Sequence, residues 1–101
     1  MNRKETVLRE LERNKDVLSK IGVSKIGLFG SVVREEDSAK SDIDILVDFE
    51  PSAQKFHNFN DLCDVLDEVF GDHYDLVTMS GLSPYIGKKI LDEVEYVPLA
   101  S

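Results

Sequence analysis

Three sets of residues in this chain are spaced so that they can do chemistry together: a pair of acids, a Gly-Ser turn and an arginine. The acids lie in the run Ser41-Asp42-Ile43-Asp44-Ile45-Leu46-Val47-Asp48-Phe49. Asp42, Asp44, Leu46 and Asp48 share one parity, and Ile43, Ile45, Val47 and Phe49 share the other. That is the period of a strand, so the odd-numbered set can bury while Asp42 and Asp44 face the opposite way. Residues two apart on one strand face are roughly 7 Å apart at Cα, near enough for their carboxylates to converge on one or two divalent ions. A solvated edge strand also tolerates two acids, but Asp is depleted in strands, and a pair within so apolar a run asks for a reason. Metal binding supplies one.

Upstream, Ile26-Gly27-Leu28-Phe29-Gly30-Ser31-Val32-Val33-Arg34 is a short apolar run that stops at Gly-Ser. A strand turning into a helix there offers free backbone N–H groups, a hydroxyl and a positive dipole end. Gly30 lets a phosphate approach the backbone. Ser31 either caps the helix or bonds a phosphate oxygen, and Arg34, one helical turn on, returns to the same side as a clamp. Gly-Ser begins many helices for capping reasons alone. The weight comes from the combination, a phosphate cradle followed by a carboxylate pair.

Gly30-Ser31, ten intervening residues and Asp42-Ile43-Asp44 together resemble the signature of the DNA polymerase β-like nucleotidyltransferase superfamily. The chain looks like its smallest branch, the minimal nucleotidyltransferases paired with HEPN-domain toxins, over residues 26–97. The resemblance implies that Ser31 and Arg34 touch the β/γ-phosphates of ATP and that Asp42 and Asp44 hold two Mg²⁺. A third carboxylate from a later strand is matched by Asp75. It would ligate the catalytic ion and accept a proton from the incoming hydroxyl. The implied reaction moves AMP from ATP to a tyrosine hydroxyl of a cognate HEPN toxin, which would make the chain an antitoxin of the type VII kind. Where relatives often read Ala-Arg-Gly, this chain has Val33-Arg34-Glu35. Two alternatives stay open: a non-catalytic module that masks a toxin, and a transferase acting on a small hydroxyl compound.

The elements that must position these residues follow from the pattern. Residues 2–20 are expected to form one helix with Val7, Leu8, Leu11, Leu18 and Ile21 as its apolar stripe, ended by a left-handed Gly22. Residues 24–29 form a strand, a short helix follows to about residue 35, and residues 36–41 form a polar loop containing Lys40. Residues 42–49 are the second strand, with Asp48 at its solvated end. A second long helix over 57–70 buries Phe59, Leu62, Cys63, Leu66, Val69 and Phe70 and leaves Asp61, Asp64, Asp67 and Glu68 in solvent. Residues 73–78 are the third strand; Asp72, in the turn before it, competes with Asp75 as the third acid. Ser83-Pro84 opens a last helix, with Tyr85, Ile86, Ile90 and Leu91 as a buried stripe and Lys88 and Lys89 outward. Residues 94–97 close the set as a short strand. This order predicts one α/β (α+β) domain spanning residues 1–101, a polymerase β-like fold whose mixed sheet has helices mainly on one face.

Composition narrows the function further. The 101 residues carry 12 Lys and Arg against 20 Asp and Glu, a formal charge of −8. Such a field repels phosphate backbones, so the chain is not expected to act on nucleic acid. It is compatible with a basic protein partner in a homo- or hetero-oligomer. Cys63, the single cysteine, excludes an intramolecular disulfide and a cysteine-based zinc site. His57 and His73 stand alone and read as structural or surface groups rather than ligands. No signal-like or membrane-spanning run is evident, so the expected location is the cytoplasm.

Overall fold

The computed structural model describes residues 3–34, 42–53 and 56–99. Its elements run α1 (Arg3–Arg13), α2 (Lys15–Ile21), β1 (Val23–Phe29), β2 (Ile43–Phe49), a 3₁₀ turn (Pro51–Ala53), α3 (Phe56–Phe70), β3 (Tyr74–Thr78), a 3₁₀ turn (Met79–Gly81), α4 (Pro84–Glu93) and β4 (Glu95–Tyr96). The four strands form one sheet in the order β3-β2-β1-β4. β1 is antiparallel to both of its neighbours, and β2 and β3 are parallel. The mixed α/β architecture expected from the element order is therefore the one observed.

Alternation does the sorting. The odd-numbered residues of β2, Ile43, Ile45, Val47 and Phe49, enter the core together with Ile26 and Leu28 of β1. Val7, Leu11, Leu18, Leu62 and Leu66 from α1, α2 and α3 pack on that same layer. The opposite parity of β2 puts Asp44 and Asp48 half-buried on the other face, with Leu46 between them fully buried but outside the core cluster. A parallel β2–β3 pair needs a crossover, and α3 supplies it.

The N-terminal segment is two helices rather than one. Asn14 leaves the helical path at φ −100°, ψ 13°, and its side-chain amide donates to the Glu10 carbonyl at 2.8 Å. Asparagine favours such local bonding over a helix interior, and that preference breaks the run. Gly22 ends α2 at φ 100° with its N–H on the Leu18 and Ser19 carbonyls, the left-handed cap the sequence anticipates. After β1 the chain makes a single turn rather than a helix over the described residues, closed by the Arg34 N–H on the Gly30 carbonyl at 3.2 Å. The polar loop with Lys40, and Glu35 before it, lie outside the described residues.

Helix α4 departs most from expectation. Ser83 caps it, accepting from the Ile86 N–H at 3.2 Å, with Pro84 in the first turn. Its apolar stripe is not buried: Tyr85 is 91% exposed, Ile86 57% and Leu91 46%, with only Ile90 of the four half-buried. The helix contributes no side chain to the core cluster. Instead it borders the acidic face, where Ile86 and Ile90 share a cavity with Phe29, Asp44 and Asp75. A helical stripe reports which side of a helix is apolar, not whether anything covers it.

What fixes the end of α4 is the two-residue β4. Val97 is buried, and its N–H donates to the Ile26 carbonyl at 2.8 Å. Lys4 reaches Glu95 at 3.2 Å, and the Lys25 ammonium lies 5.6 Å from the Tyr96 ring centre. Gly27 makes this approach possible, since a Cβ there would stand 2.7 Å from the Glu95 carbonyl oxygen and 2.9 Å from Val94. Gly27→Ala is expected to lower stability by about 1–3 kcal/mol through overpacking. Urea unfolding measures it; an unmoved midpoint would show that β4 does not pack against β1 at this position.

Candidate active site

The parallel pairing of β2 and β3 sets Ile43 against Tyr74, Asp44 against Asp75 and Ile45 against Leu76. Facing residues on adjacent strands point to the same side of a sheet, so Asp44 and Asp75 stand abreast on the face away from the core. Both line one cavity of about 580 Å³ with Phe29, Ser83, Ile86 and Ile90. Asp42 lies just before β2 and is exposed. Asp72, the competing acid, is also exposed, in the turn before β3, with one oxygen 3.6 Å from the His73 ring.

Two anchors hold β3 in this register. The Ile43 N–H donates to the His73 carbonyl at 3.0 Å. The Tyr74 hydroxyl reaches back to α3, 2.7 Å from an Asp67 oxygen and 3.2 Å from the Cys63 carbonyl. Burial, with the Asp67 bond next, pushes the Tyr74 phenol well above its ordinary range, so it stays a neutral donor. Cys63 is half-buried and its thiol is pushed up, first by burial, which leaves it inert rather than nucleophilic. Tyr74 is a positioning residue the pattern did not single out. A tyrosine beside an acid in a strand carries no distinguishing signal.

The turn and the acids are physically joined at Gly30. It has φ +78°, and a Cβ built on it would collide with the Asp44 carboxylate. The missing side chain is therefore the space Asp44 occupies, next to Phe29, its cross-strand partner. Ser31 is half-buried beside it. Arg34 does return to the Gly30 side, as its spacing requires, and there it meets a carboxylate from α4. One Glu93 oxygen accepts from the Gly30 N–H and from the Arg34 guanidinium, both at 2.8 Å, and the other oxygen accepts from Arg34 at 3.1 Å. Nothing in the sequence reading singled out Glu93, which is 59 residues from Arg34 and sits next to another acid. Beside this contact is a cavity of about 720 Å³ lined by Phe29, Gly30, Arg34, Tyr85, Lys88 and Glu93, among others. Lys88 and Lys89 are exposed along it, as expected.

The Asp44 carboxyl is held above its usual range, first by burial, then by the negative charges of Asp75 and Asp42, with Arg34 opposing and Glu93 adding to the rise. The donor set is all oxygen, suited to a hard cation such as Mg²⁺, and a cation between Asp44 and Asp75 would relieve the repulsion that raises Asp44. No group of three or more His, Cys, Asp or Glu side chains among the described residues is drawn together tightly enough to hold a metal ion. The backbone brings Asp44 and Asp75 abreast, while like charge gives the carboxylate tips no reason to converge by themselves. Among the described residues, no helix is long and apolar enough to cross a membrane.

Comparison with known proteins points the same way. Residues 8–97 match the Nucleotidyltransferase domain family. Protein adenylyltransferase MntA of Thermococcus cleftensis is 46% identical over 85 residues, covering 82% of this chain and 83% of the relative. A solved minimal nucleotidyltransferase, assigned as such provisionally, superposes with a TM-score of 0.71 at 27% identity, over 94% of this chain and 95% of its own. A toxin–antitoxin crystallised with AMP-PNP shares the fold at a TM-score of 0.62 and 21% identity, over 84% of this chain and 73% of its own.

The raised Asp44 carboxyl has a consequence for pH. The folded state binds this proton more tightly than the unfolded chain, so Asp44 costs stability as pH rises from the ordinary carboxylate range through the raised midpoint. Asp44→Asn is therefore expected to be at least as stable as the parent at neutral pH. In an NMR titration of the parent, Asp44 should titrate above the ordinary aspartate value, and Asp75→Asn should lower that midpoint. A midpoint unmoved by Asp75→Asn would show that the two acids do not share a site.

Proposed function

The chain belongs to the nucleotidyltransferase domain family, and from that premise we propose that it transfers AMP from ATP to a hydroxyl group of a protein partner. The observation that carries the proposal is the alignment of Asp44 with Asp75 directly beside the Gly30 turn. One strand pair presents carboxylates on the acceptor side, and one turn presents donors for the triphosphate.

Gly30 N–H, the Ser31 hydroxyl and the Arg34 guanidinium hold the β/γ-phosphates and offset the charge that grows on the leaving group. Asp75, exposed at the open side, takes the proton of the incoming hydroxyl. The acceptor oxygen bonds to the α-phosphorus as the bond to the bridging oxygen of the β-phosphate breaks, and pyrophosphate leaves. Asp42, Asp44 and Asp75 would hold Mg²⁺, which supplies charge neutralisation at the triphosphate and acidifies the acceptor hydroxyl. Phe29, Ile86 and Ile90 form an apolar wall beside the acids.

The finer reading is that two Mg²⁺ ions serve the reaction and that the acceptor is a tyrosine of a HEPN toxin, with this chain as its cytoplasmic antitoxin. Support comes from the adenylyltransferase name of the Thermococcus relative and from toxin–antitoxin structures of the same fold. A tyrosine acceptor suits a site this open, because a phenol at a protein surface can reach Asp75 without a second domain closing over it.

Incubating the chain with a co-encoded toxin, ATP and Mg²⁺ tests this directly, with mass spectrometry of the toxin as readout. The expected product is a toxin tyrosine heavier by one AMP, lost in Asp42→Asn and Asp44→Asn while both variants stay folded. Labelling that survives either variant would remove that acid from the metal set. Arg34→Ala is expected to weaken ATP binding by about 1–3 kcal/mol, the scale of a hydrogen bond to a charged group, and calorimetry measures it. Neutralisation of the toxin with no AMP added would instead favour a masking module, a reading that the Glu93 carboxylate on Arg34 keeps in play.

A further inference from the structure

Glu93 has no part in the transfer chemistry, yet it holds two of the groups assigned to the nucleotide. Its carboxylate takes the Gly30 amide and two bonds from Arg34, at 2.8, 2.8 and 3.1 Å. An amide at a glycine turn combined with a guanidinium nitrogen, here one nitrogen of Arg34 reaching both carboxylate oxygens, is a donor set that recognises a phosphate oxygen. Resting on that reading of the turn, we propose that Glu93 is a built-in competitor for the triphosphate, seated where a phosphate binds, and that nucleotide enters by displacing it.

A second, independent observation marks Glu93 as out of place for any local purpose. It is the last residue of α4, where the helix dipole favours a cation, and the final turn carries no basic residue to compensate. Local preference is thus overridden, as happens where function makes the demand. The Glu93 side chain is only 22% accessible while that of Arg34 is 46% accessible, so the pair closes the inner side of the turn and leaves the guanidinium reachable from the cavity. That cavity, about 720 Å³ along α4, gives the displaced carboxylate and an incoming ligand room to exchange.

The device sets a threshold. With Glu93 seated, the Arg34 charge is already answered, and Asp44 nearby adds further negative potential. A lone phosphate offers little more than the carboxylate it must expel. A triphosphate carries more charge and can engage the acids through a cation, so it wins where smaller anions do not. Departure of Glu93 also frees the end of α4, which leads directly into β4.

Calorimetric titration with AMP-PNP and Mg²⁺ tests the proposal. Glu93→Gln, of the same shape, and Glu93→Ala are both expected to bind more tightly than the parent, by about 5- to 20-fold, the scale of one charge-assisted contact released. Asp92→Asn removes the same charge one residue away on the cavity wall, without touching the turn, and should change affinity less than about two-fold by screening alone. Affinity of both Glu93 variants that is unchanged, weaker, or no tighter than that of Asp92→Asn would overturn the proposal. Arg34→Ala separates the two layers of the argument. Weakened binding in Arg34→Ala with no gain in the Glu93 variants sinks only the competitor, whereas full affinity in Arg34→Ala sinks the phosphate reading of the turn with it.

Discussion

One steric fact organises the site: Gly30 has no side chain, and the Asp44 carboxylate occupies the space a Cβ would need. The antiparallel register of β1 and β2 puts Phe29 opposite Asp44 and so sends the turn directly over the acid. Any larger residue at position 30 would lose the left-handed φ and push the carboxylate away together. The Gly30 turn and the Asp44 carboxylate are therefore one construction, not two motifs that happen to be near each other. Asp75 joins it by register, Arg34 by the closure of one turn, and Glu93 by reaching the amide and guanidinium those features expose.

The parts of this arrangement that depend on local sequence were legible in it. Alternation along residues 42–49 gave the strand, its buried side and the placement of Asp44, because period-two patterning is read one residue at a time. Gly22, Ser83 and Pro84 marked helix ends for equally local reasons. Asp75 was reached through resemblance rather than pattern, and its alignment with Asp44 depends on a parallel pairing that only the assembled sheet defines. The break at Asn14 was hidden because leucine and valine positions on both sides stay in helical phase. Glu93 was beyond reach for a different reason: a carboxylate 59 residues from its partner leaves no periodic trace. The exposed stripe of α4 shows the limit of amphipathicity as a signal, since the helical phase is correct but the core does not cover the stripe.

Electrostatics connect the fold to the nucleotide proposed for it. A chain of net charge −8 would not attract a polyanion by its overall field, so binding must come from a few groups at short range. In the proposed function the Gly30 amide, Arg34 and a cation suited to the Asp44 and Asp75 oxygens would supply that local reversal. The same acidic surroundings that raise the Asp44 carboxyl would favour, in the proposed reaction, a triphosphate arriving with its own counter-charge. Lys88 and Lys89 on α4, exposed along the cavity, extend the attractive region outward without cancelling the general repulsion of long phosphate backbones.

The crossover through α3 bears on when the site comes into being. Antiparallel β1 and β2 can pair by direct return of the chain, but a parallel β3 has no correct place until the intervening helix has docked. Leu62 and Leu66 must settle against the sheet, and Tyr74 must find its α3 partners, before Asp75 comes level with Asp44. The acid pair therefore exists only once β3 is paired with β2 in the assembled sheet. Without β3 docked, the Gly-Ser turn and its neighbouring aspartates would stand apart from Asp75, the proton acceptor of the proposed reaction, so that reaction would require the whole sheet to be in place.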